Sequence, residues 1–173
     1  MSTFNKYRVK GAYHYDWYET EDWYKWCVDR CVEFCDGLTV DVGCGDGLLL
    51  SKLPKGSMGI DNDKNALELC VANKLPVAKV DMNNHEIHVP GGFDYVASLN
   101  SVEHFNHPLG LKSLIRQARK GAIIITIDWQ GGAFGEDHKH EYTLKELLET
   151  FKEFNPKGFR YKDTEWIGVE ITK

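Results

Sequence analysis

The sequence lacks any run of about 18 or more apolar residues, so it offers no candidate for a membrane span. It also lacks a basic excess. Lysine and arginine number 21 against 26 aspartates and glutamates, a net charge of −5 at neutral pH. The electrostatic footprint of a duplex nucleic-acid binder is therefore missing. The opening residues, MSTFNKYRVKGAYHYDWYE, have no apolar core of the secretory kind. No internal repeat, low-complexity stretch or interdomain linker interrupts the 173 residues, a length that suits one domain. Five cysteines is an odd number, and Cys27, Cys31 and Cys35 recur every fourth residue. That spacing puts three free thiols on one buried helix face, where cysteine acts as a small hydrophobe. A reducing, cytoplasmic setting is expected. At 42% hydrophobic and 12% aromatic residues, the chain can fill a sizeable core.

From Thr39 onward, short apolar runs alternate with helical periodicity. LTVDVG, SMGIDN, PVAKVDM, FDYVASLN and GAIIITID read as five strands, the last apolar throughout and so central. Between them lie DGLLLSKL, stopped by Pro54, then KNALELCVAN with Ala66, Leu67, Cys70 and Val71 on one side, and LKSLIRQARK with Leu111, Leu114, Ile115 and Ala118 aligned. YTLKELLETFKEF opens on a capping box, Thr143 to Glu146, and carries the stripe Leu144, Leu147, Leu148, Phe151, Phe154. GFRYKDTEW and IGVEITK read as two closing strands with a tight turn near Ile167–Gly168, too close for a crossover and hence an antiparallel hairpin. A helix over Asp22–Asp36 precedes the first strand, its face formed by Tyr24, Cys27, Val28, Cys31, Phe34 and Cys35. Alternation of this kind predicts a mainly parallel sheet covered on both faces.

The loop VDVGCGDG follows the first strand. Glycines there allow a tight turn and close approach of backbone to a ligand. The dinucleotide pattern needs a third glycine at position 48, where leucine stands, which argues against a nicotinamide oxidoreductase. Asp41, two residues before Gly43, suits a positively charged amino-acid group better than a pyrophosphate. Asp61 ends the second strand, where a carboxylate can accept both hydroxyls of a ribose. Asp81, past the third, can accept from an exocyclic amine while Met82 packs an aromatic ring. Amino acid, ribose and adenine together describe S-adenosylmethionine.

In VDVGCGDG, GIDND, KVDMNN and FDYVASLNSVEHF, taken in order, the chain resembles the class I S-adenosylmethionine-dependent methyltransferase family over about Thr39 to Lys173. The resemblance implies an α/β fold, a Rossmann-like three-layer αβα sandwich whose seven-stranded, mostly parallel sheet has its last strand inserted antiparallel beside the fifth. It implies that Gly43, Cys44, Gly45 and Gly47 line the methionine part of the cofactor and that Asp41 orients that loop or its ligand. It places Asp61 on the ribose, Asn62, Asp81 and Met82 at the adenine, and Leu99 and Asn100 near the sulfonium. Asp46 is open to a second reading, a carboxylate in the first turn of the following helix. Residues 39–173 are expected to form the cofactor-binding domain. Residues 1–38 then form an aromatic lid and helix within one compact whole.

Methyl transfer is a one-step displacement that mainly requires alignment, plus a base or Lewis acid for a hydroxyl acceptor. Glu103, His104 and His107 follow the fourth strand, and His138 and His140 follow the fifth. Both groups emerge at strand carboxyl ends, where ligands bind. Glu103, His104 and His138 are the candidate catalytic residues, as a base, as metal ligands or as braces for a loop. NSVEH with DHKHEYTLKEL also resembles pieces of the small-RNA 3′-terminal 2′-O-methyltransferases and of ubiquinone-pathway O-methyltransferases. By that resemblance these three residues would gather magnesium, although Asn100 stands where those families have glutamate. His85 and His88 read as surface loop residues.

Seven aromatics between Tyr13 and Trp26 could close on adenine, cage a sulfonium or stack on an acceptor; alternatively they pack on the sheet edge. WQGGAFGED is a glycine-rich loop suited to shaping an acceptor pocket. The expected function is transfer of a methyl group to an oxygen or nitrogen of a small molecule or exposed group, with no duplex nucleic acid and no membrane as partner. The alternatives are metal-assisted 2′-O-methylation of an RNA end and a non-catalytic cofactor-binding partner subunit.

Overall fold

The computed structural model describes residues 6–128, 137–162 and 164–173. Three helices come first, α1 (Lys6–Lys10), α2 (Tyr13–Thr20) and α3 (Asp22–Phe34). The alternating part follows: β1 (Thr39–Val42), α4 (Leu48–Lys52), β2 (Met58–Asp61), α5 (Lys64–Ala72), β3 (Val77–Lys79), β4 (Tyr95–Leu99), α6 (Leu109–Gln117), β5 (Gly121–Ile127), α7 (Leu144–Thr150), β6 (Lys157–Arg160) and β7 (Trp166–Thr172). Of the expected glycine-rich loop WQGGAFGED, residues 129–136 lie outside the described residues.

The strands form one sheet in the order β3-β2-β1-β4-β5-β7-β6. Neighbours from β3 to β5 are parallel, while β7 runs antiparallel to both β5 and β6. Register explains the two cores. Along β5, Ala122 and Ile124 enter the cluster that holds Leu111, Leu114 and Ile115 of α6 with Leu147 of α7. Ile123 and Ile125 enter the opposite cluster with Cys27, Val28 and Cys31 of α3 and Leu49 of α4. This period-two division of a fully buried strand makes the three-layer sandwich expected from the sequence. The cysteine face of α3 is buried as read, and all five cysteines are free thiols. α7 starts on the Thr143–Glu146 capping box, with both reciprocal hydrogen bonds formed.

Two expectations are corrected. β6 ends at Arg160 and β7 begins at Trp166, so Ile167 and Gly168 lie inside β7 and not at the turn. Gly168 pairs with Phe159, and a Cβ there would run into the Phe159 ring, so the glycine makes room for an aromatic across the hairpin instead of marking its turn. On α5 the buried positions are Ala66 and Cys70, whereas Val71 is 64% exposed. The helix meets the protein on a narrower stripe, with Leu69 packing toward the N-terminal helices. No helix among the described residues is long and apolar enough to cross a membrane.

Candidate active site

At the carboxyl ends of β1, β2, β4 and β5 lies a cavity of about 620 Å³, roofed by α1, α2 and the start of α3. Its floor is the loop after β1. Gly43 and Cys44 both donate backbone N–H bonds to the carbonyl of Ile60, at 2.8 and 3.1 Å, pinning the loop to β2. Gly43 has φ of +70° and a Cβ on it would strike Ser101. The Ser101 hydroxyl in turn donates to the Val42 carbonyl at 2.8 Å, so the loops after β1 and β4 are buttressed against each other.

Asp61 is the node of the floor. One carboxylate oxygen accepts from Gly45 N at 2.9 Å and the other from Asp63 N at 2.8 Å. Burial raises its pKa above the ordinary carboxylate value. Asp41 is only 2% exposed, and its Oδ2 has no hydrogen-bond partner. Burial, reinforced by the charges of Asp61 and Asp46, pushes it up to about 8. Asp46 accepts from Leu48 N, as a first-turn carboxylate does, and also from His14 N at 2.9 Å. The His14 imidazole lies 3.2 Å from the same carboxylate, tying the roof to the floor.

Asp61, Asn62, Asp81, Met82, Leu99 and Asn100 all line this cavity, as do Asp41, Gly43 and Cys44. Gly45 and Gly47, expected on its wall, lie off it. A Cβ on Gly45 would strike the Tyr7 hydroxyl of α1, and one on Gly47 would strike Leu75. Their missing side chains make room for Tyr7 of α1 and for Cys70 of α5 with Leu75 beyond it. Asn100 takes a left-handed φ of 50°, uncommon outside glycine, and its Oδ1 is buried without a partner.

Glu103, His104 and His138 meet on the same wall. One ligand atom from each lies within 4.8 Å of the others. The two imidazoles contact edge to face, with centroids 4.8 Å apart. Glu103 is 3% exposed; burial raises its pKa, and Oε2 has no hydrogen-bond partner. His104 contacts the Asp137 carbonyl through Nδ1 at 3.3 Å, and burial lowers its pKa to about 4. His138 Nδ1 donates to Glu141 Oε1 at 2.8 Å, which leaves Nε2 as the basic nitrogen of that ring. His140 instead packs on Tyr142 and His107 on His85, while His85 and His88 are exposed.

The aromatic segment divides in two. Tyr13, Trp17, Trp23 and Tyr24 line the cavity. Tyr15, Tyr18 and Trp26 lie off the cavity, half-buried against the core around α3, with Tyr18 under Lys52 and Trp26 on Tyr161. Four contributors were not read from the sequence: Tyr7, His14, Glu141 and Trp166. The Glu141 signal was present as His-x-x-Glu spacing. Trp166 stacks on Trp23 at 4.3 Å, a contact between the two ends of the chain that spacing cannot reveal.

The residues present fit S-adenosylmethionine. Asp41 Oδ2 is a buried acceptor lacking a donor, and Asp61, Asn62, Asp81 and Met82 line the same cavity as it does. The sheet order is that of the class I S-adenosylmethionine-dependent methyltransferase fold. Similar solved structures carry the same fold. A methyltransferase from Thermotoga maritima is 14% identical, with TM-score 0.72 over 96% of this chain and 97% of that one. One from Aquifex aeolicus is 20% identical, with TM-score 0.66 over 91% and 92%. The methyltransferase domain of a bacterial Hen1 is 17% identical, with TM-score 0.60 over 84% and 95%. A comparison with curated proteins gave no match. Within the class, the chain belongs to the MetW family, described as methionine biosynthesis protein MetW, whose sequence model matches residues 36–129, more than half of its length.

Proposed function

We propose that this chain is a cytoplasmic enzyme that methylates an oxygen or nitrogen of a small molecule or exposed group. The observation that carries this reading is the shared cavity, with Asp41, Asp61 and the glycine loop on its floor and Glu103, His104 and His138 on the adjoining wall. When bound, S-adenosylmethionine supplies a methyl carbon activated by a sulfonium. Asp41 holds the amino group of the cofactor, Asp61 the ribose hydroxyls, and Asn62, Asp81 and Met82 the adenine. Leu99 and Asn100 lie toward the sulfonium. His138 is the general base, oriented by Glu141 much as a carboxylate orients the histidine of a catalytic triad. His104, neutral well below neutral pH because of its burial, packs against the His138 ring and limits its motion. The roof of α1 and α2 excludes water through the His14–Asp46 contact.

A metal-assisted reading draws support from the grouping of Glu103, His104 and His138. One carboxylate and two imidazoles suit a transition metal better than magnesium, which favours oxygen ligands. Glu141 already engages one of these imidazoles.

The test begins with calorimetry of S-adenosylmethionine binding. Labelled cofactor and a metabolite extract are then searched for products heavier by one methylene, with and without EDTA. Binding followed by EDTA-insensitive transfer supports the base. Loss of transfer with EDTA, restored by a divalent ion, supports the metal. Binding without transfer to any acceptor supports a non-catalytic partner subunit.

A further inference from the structure

We infer that the acceptor half of the cavity recognises a small cationic amine carrying a flat apolar group, and rejects anionic acceptors. The inference rests on the methyl-transfer reading and names the substrate class of that same site; the ammonium would pass one proton to His138, which frees the nitrogen lone pair to accept the methyl.

Sheet order separates the halves. The ribose, adenine and amino-acid residues of the cofactor site sit over β1, β2 and β3, and Leu99 and Asn100 at the end of β4 mark the sulfonium, so the acceptor lies beyond them toward β5 and β7. There Glu103 is only 3% exposed; the Thr126 hydroxyl and the His138 ring lie by its carboxylate, but Oε2 has no hydrogen-bond partner. A buried carboxylate oxygen without a donor is costly, and the cost is relieved when a ligand brings an N–H, most of all a charged one. Asp41 Oδ2 is the same kind of orphan, but its place beside the glycine loop assigns it to the cofactor. Glu103 remains for the acceptor.

The wider field agrees. Among the described residues, seven carboxylates line the whole cavity, Glu103 and Asp137 of them on the acceptor side, against two lysines, Lys6 and Lys139, and no arginine. A phosphate or carboxylate entering it would meet like charge with no guanidinium to receive it. The bound cofactor adds one net positive charge, too little to reverse that sign. The walls of the acceptor half are Trp23, Trp166, Ile127 and Leu49, apolar surfaces that suit a ring and, in the indoles, attract a cation.

Three probes of similar size separate charge from shape: 2-phenylethylamine, 2-phenylethanol and 3-phenylpropanoate. Each is titrated calorimetrically into the full chain, alone and with saturating S-adenosylhomocysteine. The amine is expected to bind about tenfold or more tighter than the alcohol, and the carboxylate to give no measurable binding. Glu103→Gln, checked for folding by circular dichroism, is expected to bring the amine down to the alcohol. Equal binding of carboxylate and amine would overturn the inference on the wild type alone, whether or not the variant folds. So would a folded Glu103→Gln protein that keeps the preference, or loss of amine binding in EDTA, which would give Glu103 to a metal. Failure of S-adenosylhomocysteine to bind would count against methyl transfer itself. The amine preference, measured without it, would still stand or fall separately.

Discussion

Changing Asp61 to alanine removes the acceptor for two backbone donors, Gly45 N and Asp63 N, and the anchor expected for the ribose. The two effects fall on different observables. Each orphaned N–H costs about 1–3 kcal/mol of stability, partly returned because a buried carboxylate of raised pKa is no longer there to be desolvated. Losing one charge-assisted bond to a ribose hydroxyl costs about 1.5–3 kcal/mol, so affinity for S-adenosylhomocysteine should fall about tenfold for one bond and about a hundredfold or more for both. Calorimetry reads the affinity and a urea titration the stability. Asp61→Asn serves as the control for loop geometry. It keeps the shape and one acceptor, so it should retain more stability than alanine and still lose affinity. If both variants bind S-adenosylhomocysteine within about twofold of wild type, well under 1 kcal/mol, the ribose does not sit on Asp61 and the floor of the cavity has been misassigned.

Gly45→Val should unseat α1, because its side chain meets the Tyr7 hydroxyl at a backbone φ of +54°. The expected result is faster proteolysis of the first helices and loss of cofactor binding, with the sheet intact by circular dichroism. His104 has a folded pKa near 4, below its unfolded value of about 6.5, so the unfolded state binds more protons between those limits. Its contribution is unaffected above about pH 6.5, and up to about 3 kcal/mol of stability is lost as pH falls toward 4. His104→Leu should flatten that acid limb in urea titrations, and an unchanged limb would refute the assignment. Thr143→Ala removes the cap of α7 and should cost about 1 kcal/mol, read as a lower urea midpoint at constant slope.

Much of the fold was legible because strand and helix periods recorded burial directly. The run GAIIITI is apolar on both faces and became the interior strand β5, and Leu111, Leu114 and Ile115 at helical spacing became the buried stripe of α6. Gly168 misled for a physical reason. Locally a glycine reads as a turn, yet here its missing side chain accommodates Phe159 from the neighbouring strand. Val71 misled likewise, since hydrophobicity fixes which residues can be buried and only packing decides which are. The helices α1 and α2 escaped notice because their residues are aromatic and polar all round, without an apolar stripe.

The candidate site divides along the same line. Residues tied to strand ends, such as Asp61 after β2 and Glu103 after β4, could be placed from sequence because the parallel sheet sends every such end to one edge. Contacts that depend on the roof could not. His14 and Asp46 are 32 residues apart, and nothing in their spacing brings them together. Yet this contact ties the N-terminal helices to the glycine loop, whose Gly45 amide is in turn held by Asp61. Roof, loop and ribose anchor thus form one connected set, in which a change at any member is felt by the others. Gly45 stands at the centre of that set, with its amide on Asp61 and its α-carbon against Tyr7. Its glycine was read as a requirement for close approach to a ligand; what approaches its α-carbon in the structure is the protein's own roof.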